Sequence, residues 1–519
     1  MYIDYNMKLL IIARIFYYNK KINYLKKLYI IYLINKLVKR YNNNYINRIK
    51  REIILDKKYD NEQLEAIYSQ ELNTFVIAGA GAGKTSLIVG KINYLIENLN
   101  YKEKDILCIS YTNEACNNLK EKLKYNVDIF TFHKLALYIL NGKYRINNNY
   151  LKYVIDEYFE SIIYNNNMIK VALKIIKKQN IKKYKYYLKN EYFKEIKKII
   201  YDYINLFIIN GFSYKYFLKY KNNKKLISII IDIYKLYISE LDASNEVDLN
   251  TLILKASKYV DKKIKYKYII IDEFQDISKI RLNFIKQIIS NTNAKILTVG
   301  DDYQSIYKFS GSSLESFIGY KKENTKVIKL KNNYRCCQEI VYVSNKFICK
   351  NKEQIIKKIK AHKSIKKCIV LIKYSKEILY KLLIYLCKKN KNILILGRNR
   401  NDINNYINID KIDLISEKYK KIIRYKTVHA AKGLEEDAVI IINLKSSING
   451  FPNKIRNNYL IDSLMSKEKY LYAEERRLFY VALTRSNDKT YIIEHDNQSI
   501  FLKEIKKIGK NNISYLSLE

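Results

Sequence analysis

The chain has 519 residues and a mass of 62.0 kDa, which suits about two to four domains and excludes a mini-protein held together by disulfides or metals. Hydrophobic residues make up 48% of the sequence, so several cores are possible and global disorder is excluded. Lys and Arg outnumber Asp and Glu by 96 to 51, and the formal charge of +45 favours a polyanionic partner. Part of that charge has a simpler origin, because 52 Tyr, one Pro and no Trp are typical of an A/T-rich genome, which also inflates Lys.

Cysteine and histidine do not form a metal-binding pattern. The seven Cys contain no CxxC pair and the four His are scattered, so we expect no zinc or iron–sulfur site and a reducing compartment. No apolar run reaches the roughly 18–20 residues that a membrane span needs, and no signal-peptide pattern is evident. We therefore expect a cytoplasmic protein with no membrane partner.

The N-terminal segment 1–56 is rich in Lys, Tyr, Ile and Asn and has loose helical periodicity. This pattern predicts a basic helical extension that packs on the main body. An arm that contacts nucleic acid or a protein partner is the alternative.

From about Asp60, short apolar runs alternate with helical segments, a pattern typical of a parallel α/β sheet. The first lobe is predicted over 57–136 and 247–320, and residues 137–246, which read as helix throughout, are predicted as a helical insertion in it. A second α/β lobe is predicted over 321–519. The predicted strands are Phe75–Ala78, Ile106–Ser110, Tyr268–Ile271 and Ile296–Val299, then Val327–Leu330, Ile369–Ile372, Ile393–Leu396, Val439–Ile442 and Tyr491–Ile493.

The strongest local signal is Ala78-Gly79-Ala80-Gly81-Ala82-Gly83-Lys84-Thr85, between a predicted strand and an apolar-periodic helix. This is the context that a phosphate-binding loop requires, although the strict pattern begins with Gly rather than Ala. Small residues let backbone N–H groups approach phosphates at a helix N-terminus. Lys84 is expected to reach the β- and γ-phosphates, and the hydroxyl of Thr85 to bind Mg²⁺.

Carboxylates follow two other predicted strands. Asp272 and Glu273 come directly after Tyr268–Ile271, where ligands bind in such sheets. Asp272 is suited to the Mg²⁺ shell and Glu273 to polarising an attacking water. Gly300-Asp301-Asp302-Tyr303-Gln304 stands at a further strand end, and its Gln304 amide is a candidate sensor of the γ-phosphate.

In this order, these elements resemble the UvrD/Rep-like superfamily 1 of DNA helicases, and further segments resemble its remaining motifs over about residues 57–500. These segments are Asn61-Glu62-Gln63, Ser110-Tyr111-Thr112-Asn113-Glu114-Ala115, Thr131-Phe132-His133, Asn333-Tyr334-Arg335, Thr427-Val428-His429-Ala430-Ala431-Lys432-Gly433-Leu434-Glu435, and Glu474-Glu475-Arg476-Arg477-Leu478-Phe479-Tyr480-Val481-Ala482-Leu483-Thr484-Arg485. The resemblance implies two RecA-like P-loop lobes with parallel sheets, ATP and Mg²⁺ as cofactors, and single-stranded and tailed duplex DNA as partners.

The resemblance also implies roles for individual residues. The catalytic set is Lys84, Glu273, Gln304, Arg335 and Arg485, with Arg485 as the arginine finger. The ATP-binding set is Gln63, Ala78, Gly79, Ala80, Gly81, Ala82, Gly83, Lys84, Thr85, Ser86, Tyr334, Arg335 and Glu435, and the metal ligands are Thr85 and Asp272. The DNA-binding set is Tyr111, Thr112, Asn113, Phe132, His133, Phe309 and His429, with Tyr307 as a further stacking candidate.

Within this family, Phe309-Ser310-Gly311 is similar to the helicase IV branch, where most relatives have Trp-Arg-Gly. Only about 30 residues separate Arg398 from Thr427, so the large second helical insertion of many relatives is predicted to be absent or vestigial, near 399–424. The short chain after Arg485 leaves no expected nuclease domain.

The implied activity is a 3′→5′ ATP-dependent DNA helicase or translocase, acting at the bacterial nucleoid or at a site of viral DNA processing. An ATP-driven protein-displacing factor and an RNA-directed motor stay open as alternatives.

Overall fold

The computed structural model describes residues 59–175, 180–188, 191–219, 224–260, 264–320, 325–455 and 458–518. The chain divides into two compact units, Met1–Leu64 and Glu65–Glu519. The helical extension predicted over 1–56 lies outside the described residues. Helix α1 spans Asn61–Tyr68, and its first residues, as far as Leu64, belong to the first unit.

The first lobe is built on a six-stranded parallel sheet in the order β3-β2-β6-β7-β1-β8. Its strands are β1 Asn73–Ile77, β2 Ile106–Ser110, β3 Asp128–Thr131, β6 Tyr268–Ile271, β7 Lys295–Gly300 and β8 Thr325–Lys329. The central strands are buried apolar runs because helices cover both faces of the sheet. The helices of this lobe are α2 Lys84–Leu99, α3 Asn113–Lys122, α4 Phe132–Leu140, α10 Leu249–Lys258, α11 Lys279–Thr292 and α12 Leu314–Ile318.

The predicted helical insertion is entered and left through a two-stranded ribbon, β4 Arg145–Ile146 beside β5 Glu246–Val247. Between these strands lie α5 Tyr150–Ser161, α6 Asn166–Ile175, α7 Tyr184–Leu188, α8 Glu191–Ile209 and α9 Lys224–Ser244. Their apolar faces share a core of their own.

The second lobe has another six-stranded parallel sheet, in the order β13-β12-β14-β15-β11-β16. Its strands are β11 Ile369–Lys373, β12 Ile393–Gly397, β13 Ile423–Thr427, β14 Glu436–Ile441, β15 Ser486–Glu494 and β16 Ile513–Tyr515, and β9 Asn332–Asn333 pairs with β10 Lys360–Ala361 before it. The helices are α13 Gln338–Ile348, α14 Ile378–Lys388, α15 Ile409–Tyr419, α16 Tyr459–Leu464, α17 Ala473–Leu483 and α18 Ile500–Ile508. The predicted two-lobed α/β fold is confirmed.

One predicted strand belongs to the other sheet. The run Val327–Leu330, assigned from the sequence to the second α/β unit, forms β8, which pairs in parallel with β1 of the first sheet. The other side of β1 is taken by β7, so the incoming strand completes the edge of the first sheet. The passage from the first sheet to the second therefore follows Lys329 rather than residue 320.

The predicted lack of a large second helical insertion is confirmed. Between β12 and β13 the structure has a short 3₁₀ turn, Asp402–Asn405, and the single helix α15. Among the described residues, none of the helices is both long and apolar enough to cross a lipid bilayer.

Candidate functional site

The phosphate-binding loop connects β1 to α2 as the sequence predicts. Gly81 and Gly83 adopt φ values of 67° and 75°, the left-handed region that glycine enters without strain. A Cβ at Gly81 would lie 2.6 Å from Cβ of Arg335, so no larger residue fits there. Ala78 donates its N–H to the carbonyl of Gly300 at the end of β7, over 2.8 Å. The loop is a small-residue cradle of the kind that takes phosphate oxygens.

Two first-lobe side chains meet directly over this loop. The ammonium of Lys84 lies 2.8 Å from Oε1 of Glu273, whose other oxygen accepts from the Gln275 amide. Glu273 has φ 49°, a left-handed conformation that is uncommon outside glycine. Asp272 accepts the N–H of Glu273 at 2.8 Å. This bend brings both carboxylates to the cradle, and Thr85 and Ser86 line the same cleft.

The two neighbouring carboxylates differ in pKa. Burial raises the pKa of Asp272 to about 6, and the charge of Glu273 adds to the effect. Burial also acts to raise the pKa of Glu273, but the ammonium groups of Lys84 and Lys432 outweigh it and hold that pKa well below its usual range. Glu273 is therefore ionised at neutral pH.

The second lobe supplies the facing wall of the cleft. Arg335 pairs with Glu435 and donates to the carbonyl of Thr484. Arg485 is buried, and its Nη2 donates to Oε1 of Gln304 at 3.1 Å. Its own burial and the charge of Arg335 lower the pKa of Arg485 to about 9, so the guanidinium is still charged at neutral pH. Arg485 contacts the first lobe through Gln304.

Asn333 and Tyr334 fasten this wall to the phosphate-binding loop. Asn333 Nδ2 donates to the carbonyl of Ala80 at 2.6 Å, and the N–H of Tyr334 donates to the carbonyl of Gly81 at 2.8 Å. The Tyr334 ring is 49% exposed and stacks on His362, with centroids 4.7 Å apart and planes inclined by 13°. A half-exposed aromatic ring beside the loop is suited to a nucleobase.

Gln63 lies on α1, in the first unit. Its carboxamide oxygen accepts the N–H of Asp60 at 3.1 Å, and its own N–H donates to the Asp60 carboxylate at 2.7 Å. This reciprocal pair begins the helix in the manner of a capping box. The adenine contact expected of Gln63 stays a prediction.

Several of the predicted DNA-binding residues cluster in one aromatic group. Tyr111 and Tyr307 stack with centroids 6.1 Å apart, and Phe309 packs edge-on against both Tyr307 and His429. Phe309 is 57% exposed, whereas the hydroxyls of Tyr111 and Tyr307 are engaged by Arg281 and by the His429 carbonyl. Phe309 is thus the ring in this group that is open to a base.

The structure corrects the role predicted for Phe132. The sequence interpretation made it a candidate for stacking on bases, but it is 3% exposed and packs in the core of the first lobe. Its neighbour His133 has its pKa lowered to about 4 by burial and by Arg281. Thr112 and Asn113 are exposed, where Thr112 caps α3 by accepting the N–H of Ala115 at 3.1 Å.

Two lysines were missed by the sequence interpretation. Lys432 forms an ion pair with Asp276, donates to the carbonyl of Gln304 at 2.9 Å and lies 3.9 Å from Glu273. Lys357 is buried between Asp301 and Asp302. Lys357 lies outside every motif, and Lys432 lies within the segment 427–435 without an assigned role. The partners of both lysines lie far away in the chain.

A cysteine pair lies in the second lobe. One ligand atom each from Cys337, Glu339 and Cys368 fall within 4.8 Å of one another. The Glu339 oxygens already accept from Ser364 and from the N–H of Ile365, and both thiols are buried in the apolar core. The cluster reads as core packing.

A phosphate-binding loop, a strand-end Asp-Glu pair and arginines from a second lobe surround one cavity of about 910 Å³. Fold and cleft together define a two-lobed P-loop nucleotide-binding protein. The model of the UvrD/REP helicase N-terminal domain matches residues 59–325, and that of the UvrD-like helicase C-terminal domain matches residues 377–497. The chain belongs to the UvrD/Rep helicase family.

Individual relatives agree with this assignment. The chain is 27% identical to DNA helicase IV of Escherichia coli (strain K12) over 493 residues, which cover 86% of this chain and 70% of that protein. It is 28% identical to the ATP-dependent DNA helicase Rep of Buchnera aphidicola subsp. Schizaphis graminum over 305 residues, 55% of this chain and 43% of the relative. It is 25% identical to the ATP-dependent DNA helicase PcrA of Staphylococcus epidermidis over 320 residues, 58% and 41% respectively. The matches to Rep and PcrA thus span less than half of those proteins.

Proposed function

We propose that the chain is an ATP-dependent DNA translocase and helicase that moves 3′→5′ on single-stranded DNA. One observation carries the proposal: Lys84 and Glu273 from the first lobe and Arg335, Glu435 and Arg485 from the second line the same cavity. Such an arrangement couples hydrolysis to the relative position of two lobes. DNA as the substrate and the 3′→5′ polarity are carried over from the family.

The two six-stranded sheets and their connections support the lobes that we propose. Residues 57–136 and 247 to about 329 form the first lobe, residues 137–246 its helical insertion, and the remainder to 519 the second lobe. ATP binds between the lobes, with its triphosphate on residues 78–86, its base beside Tyr334, and its ribose at Glu435.

The residues present fit a bound Mg²⁺, because Thr85 and Asp272 line the cavity together and oxygen ligands are what this ion prefers. When bound, the ion neutralises charge on the phosphates. Lys84 exchanges Glu273 for phosphate oxygens, which frees the Glu273 carboxylate to accept a proton from water. Arg335 and Arg485 stabilise charge that develops on the transferred phosphoryl group.

On the nucleic-acid side, Phe309 offers an exposed ring next to Tyr307 and His429. We propose that bases stack here and that Tyr111, Thr112, Asn113 and His133 contact the strand from the first lobe. Phe132 contributes only through the core beneath them. Lysines supply the phosphate contacts that the net charge of +45 permits.

The first test is ATP hydrolysis by substituted protein. Lys84→Ala and Glu273→Gln are each expected to lower DNA-stimulated turnover by at least about two orders of magnitude. Lys124→Ala, at an exposed lysine paired with Glu97 outside the cavity, is the control and is expected to leave turnover unchanged. Near-normal turnover in either folded variant would contradict the site.

A strand-displacement assay on tailed duplexes separates the substrate classes. The proposal predicts ATP-dependent unwinding of DNA that carries a 3′ tail, and little activity on a 5′ tail or on RNA. Unwinding of RNA alone would indicate an RNA-directed motor. DNA-stimulated hydrolysis that displaces a bound protein without unwinding would indicate a remodelling factor, an alternative that the short 399–424 region keeps open.

A further inference from the structure

The amide of Gln304 is held at both ends. Its Nε2 donates to Oδ2 of Asp301 at 2.6 Å, and its Oε1 accepts from Nη2 of Arg485 at 3.1 Å. Only this orientation of the amide satisfies both neighbours, because a carboxylate accepts and a guanidinium donates. Gln304 therefore presents its carbonyl oxygen to Arg485.

Asp301 is in turn fixed by a second-lobe lysine. Lys357, on the segment between α13 and β10, forms ion pairs with Asp301 and with Asp302, the latter at 2.5 Å. Its ammonium also lies 3.7 Å from the centre of the Tyr303 ring. Oδ1 of Asp301 accepts from this ammonium and from the N–H of Tyr303 at 3.1 Å, so Oδ2 is the oxygen directed at Gln304.

This group is costly to bury. The side chains of Asp301 and Asp302 have no exposed surface and that of Lys357 has 1%, so two buried carboxylates share one buried ammonium. A buried ion pair seldom stabilises a fold more than apolar packing does, so stability alone does not account for the group. The remaining oxygen of Asp302 accepts the N–H of Ile355 at 2.8 Å, whereas that of Asp301 accepts from the Gln304 amide, which points to a role for Asp301 in orienting this amide.

We propose that Asp301, held by Lys357, is a positioning residue for ATP hydrolysis. Asp301 orients the Gln304 amide, and the carbonyl oxygen of that amide orients Arg485. This rests on the proposed function, since Arg485 acts on ATP only if the cleft is the hydrolytic site. Asp301 does not touch the nucleotide. It acts through Gln304, and Lys357 makes the arrangement depend on the second lobe being in place.

The variant Asp301→Asn tests the positioning role of Asp301, and Asp302→Asn is its matched control. The Lys357 ammonium and the Tyr303 N–H keep the Asn oxygen, so the Asn amino group faces Gln304. Two donors then oppose each other, the Gln304 amide turns over, and its NH₂ faces the Arg485 guanidinium. Asp302→Asn removes the same charge from the same lysine but leaves Gln304 untouched.

DNA-stimulated kcat of Asp301→Asn is expected to fall by about tenfold to 100-fold, with KM for ATP within about threefold of wild type. Asp302→Asn is expected to keep kcat within about threefold of wild type. The melting temperatures of the two variants are expected to fall by similar amounts. Equal kcat in the two variants, or a loss confined to KM, overturns the proposal.

If Asp301→Asn does not fold, two double variants test the same positioning role. Lys357→Met combined with Asp301→Asn or with Asp302→Asn removes one charge of each sign. Both pairs lose the lysine that holds Asp301, so kcat is expected to fall in both, but about tenfold further in the pair that contains Asp301→Asn; equal kcat in the two pairs overturns the proposal. Lys84→Ala in the same assay distinguishes two failures. If it stays active, the proposed function fails; if it is inactive while Asp301→Asn is normal, only the positioning role fails.

Discussion

Asp272 and Glu273 are consecutive in the chain, yet their environments separate their protonation behaviour. Glu273 has Lys84 at 2.8 Å and Lys432 at 3.9 Å, while Asp272 has its partner in the backbone N–H of Glu273. The pKa of Asp272 therefore rises to about 6 and that of Glu273 falls. Glu273 therefore stays ionised throughout the neutral range, whereas Asp272 takes up a proton near pH 6.

If Asp272 binds Mg²⁺ as proposed, its pKa should set the pH dependence of Mg²⁺ activation. A carboxyl must be deprotonated to bind the ion, so Mg²⁺ competes with a proton below about pH 6, where an ordinary Asp would compete only below about pH 4. The Mg²⁺ concentration for half-maximal hydrolysis is expected to be constant from pH 8 to 7 and to rise towards tenfold per pH unit below 6. Because ATP also titrates, Asp272→Asn gives the background. Parallel curves for the two proteins down to pH 5 would remove Asp272 from the metal site.

Arg485 is predicted to act mainly in the transition state. Arg485→Ala should reduce kcat by roughly 10²–10⁴ and change nucleotide affinity by less than about tenfold. Arg485→Lys should not restore kcat, because an ammonium cannot donate to Val481, Leu434 and Gln304 in the fork geometry of a guanidinium.

Arg477→Ala is the matched control for Arg485. Arg477 is equally buried, projects from α17 and reaches the first lobe at the Ser305 carbonyl, but it pairs with Glu468 outside the cavity. Both variants should melt at a lower temperature, and only Arg485→Ala should lose turnover per folded molecule. A destabilised but fully active Arg485→Ala protein would show that the residue only supports the fold.

Among individual residues, local sequence patterns predict those that follow strand ends, whereas Arg335, Glu435 and Arg485 of the second lobe were expected only from the family resemblance. Lys84, Asp272, Glu273 and Gln304 could be placed because strand–loop boundaries are readable in apolar runs. The side-chain direction of Phe132 could not be read, since a ring beside a strand end faces either the core or the solvent.

At the scale of elements, α16 ties the second lobe to the helical insertion. Leu460, Ile461 and Leu464 enter the core of the insertion, Tyr216 donates its hydroxyl to the Ser463 carbonyl at 3.0 Å, and Asn210 donates to that of Leu464 at 3.1 Å. The insertion is continuous in sequence with the first lobe but shares its core with a segment of the second. The two lobes are thus linked away from the ATP cleft as well as across it.

Leu460→Ala should loosen this link. Removing a fully buried Leu side chain costs about 2–5 kcal/mol of unfolding free energy. Hydrogen exchange is expected to rise in α8 and α16 while the β6 and β7 amides of the first sheet stay protected. Tyr459→Ala, at a neighbouring exposed position, should leave both unchanged. If exchange rises equally across the first sheet, the link is not a local one.

In the two six-stranded sheets, the strands missed by the sequence lie at sheet edges. β3, β13 and β16 contain polar residues between apolar ones, such as Arg424 and Lys426 in β13, so no continuous apolar run marks them. The central strands were predicted because burial on both faces requires apolar residues throughout. The sequence predicted the existence of a strand better than the sheet to which it belongs. For example, β8 was assigned to the second lobe but pairs with β1 at the edge of the first sheet.

For the whole molecule, polar links cross the cleft at several places. They include Tyr334 to Gly81, Arg485 to Gln304, Lys432 to Asp276 and Lys357 to Asp301. Each joins residues far apart in the chain, and none is visible in local sequence patterns. Opening the cleft would break these links, which favours discrete closed and open arrangements over a continuous range.

The net charge of the whole molecule predicts that DNA binding depends strongly on salt. If lysines hold DNA phosphates, binding releases counterions, and for single strands the logarithm of affinity falls by about 0.7 for each contacted phosphate per decade of salt. About five contacts would weaken binding roughly 100-fold between 50 and 200 mM salt. The DNA concentration for half-maximal stimulation of hydrolysis should shift by that factor, whereas hydrolysis without DNA should change little, because the cavity and its ion pairs are partly buried. A midpoint that does not move with salt would mean that the charge of +45 reflects codon composition and that stacking at Phe309 and its neighbours carries the binding.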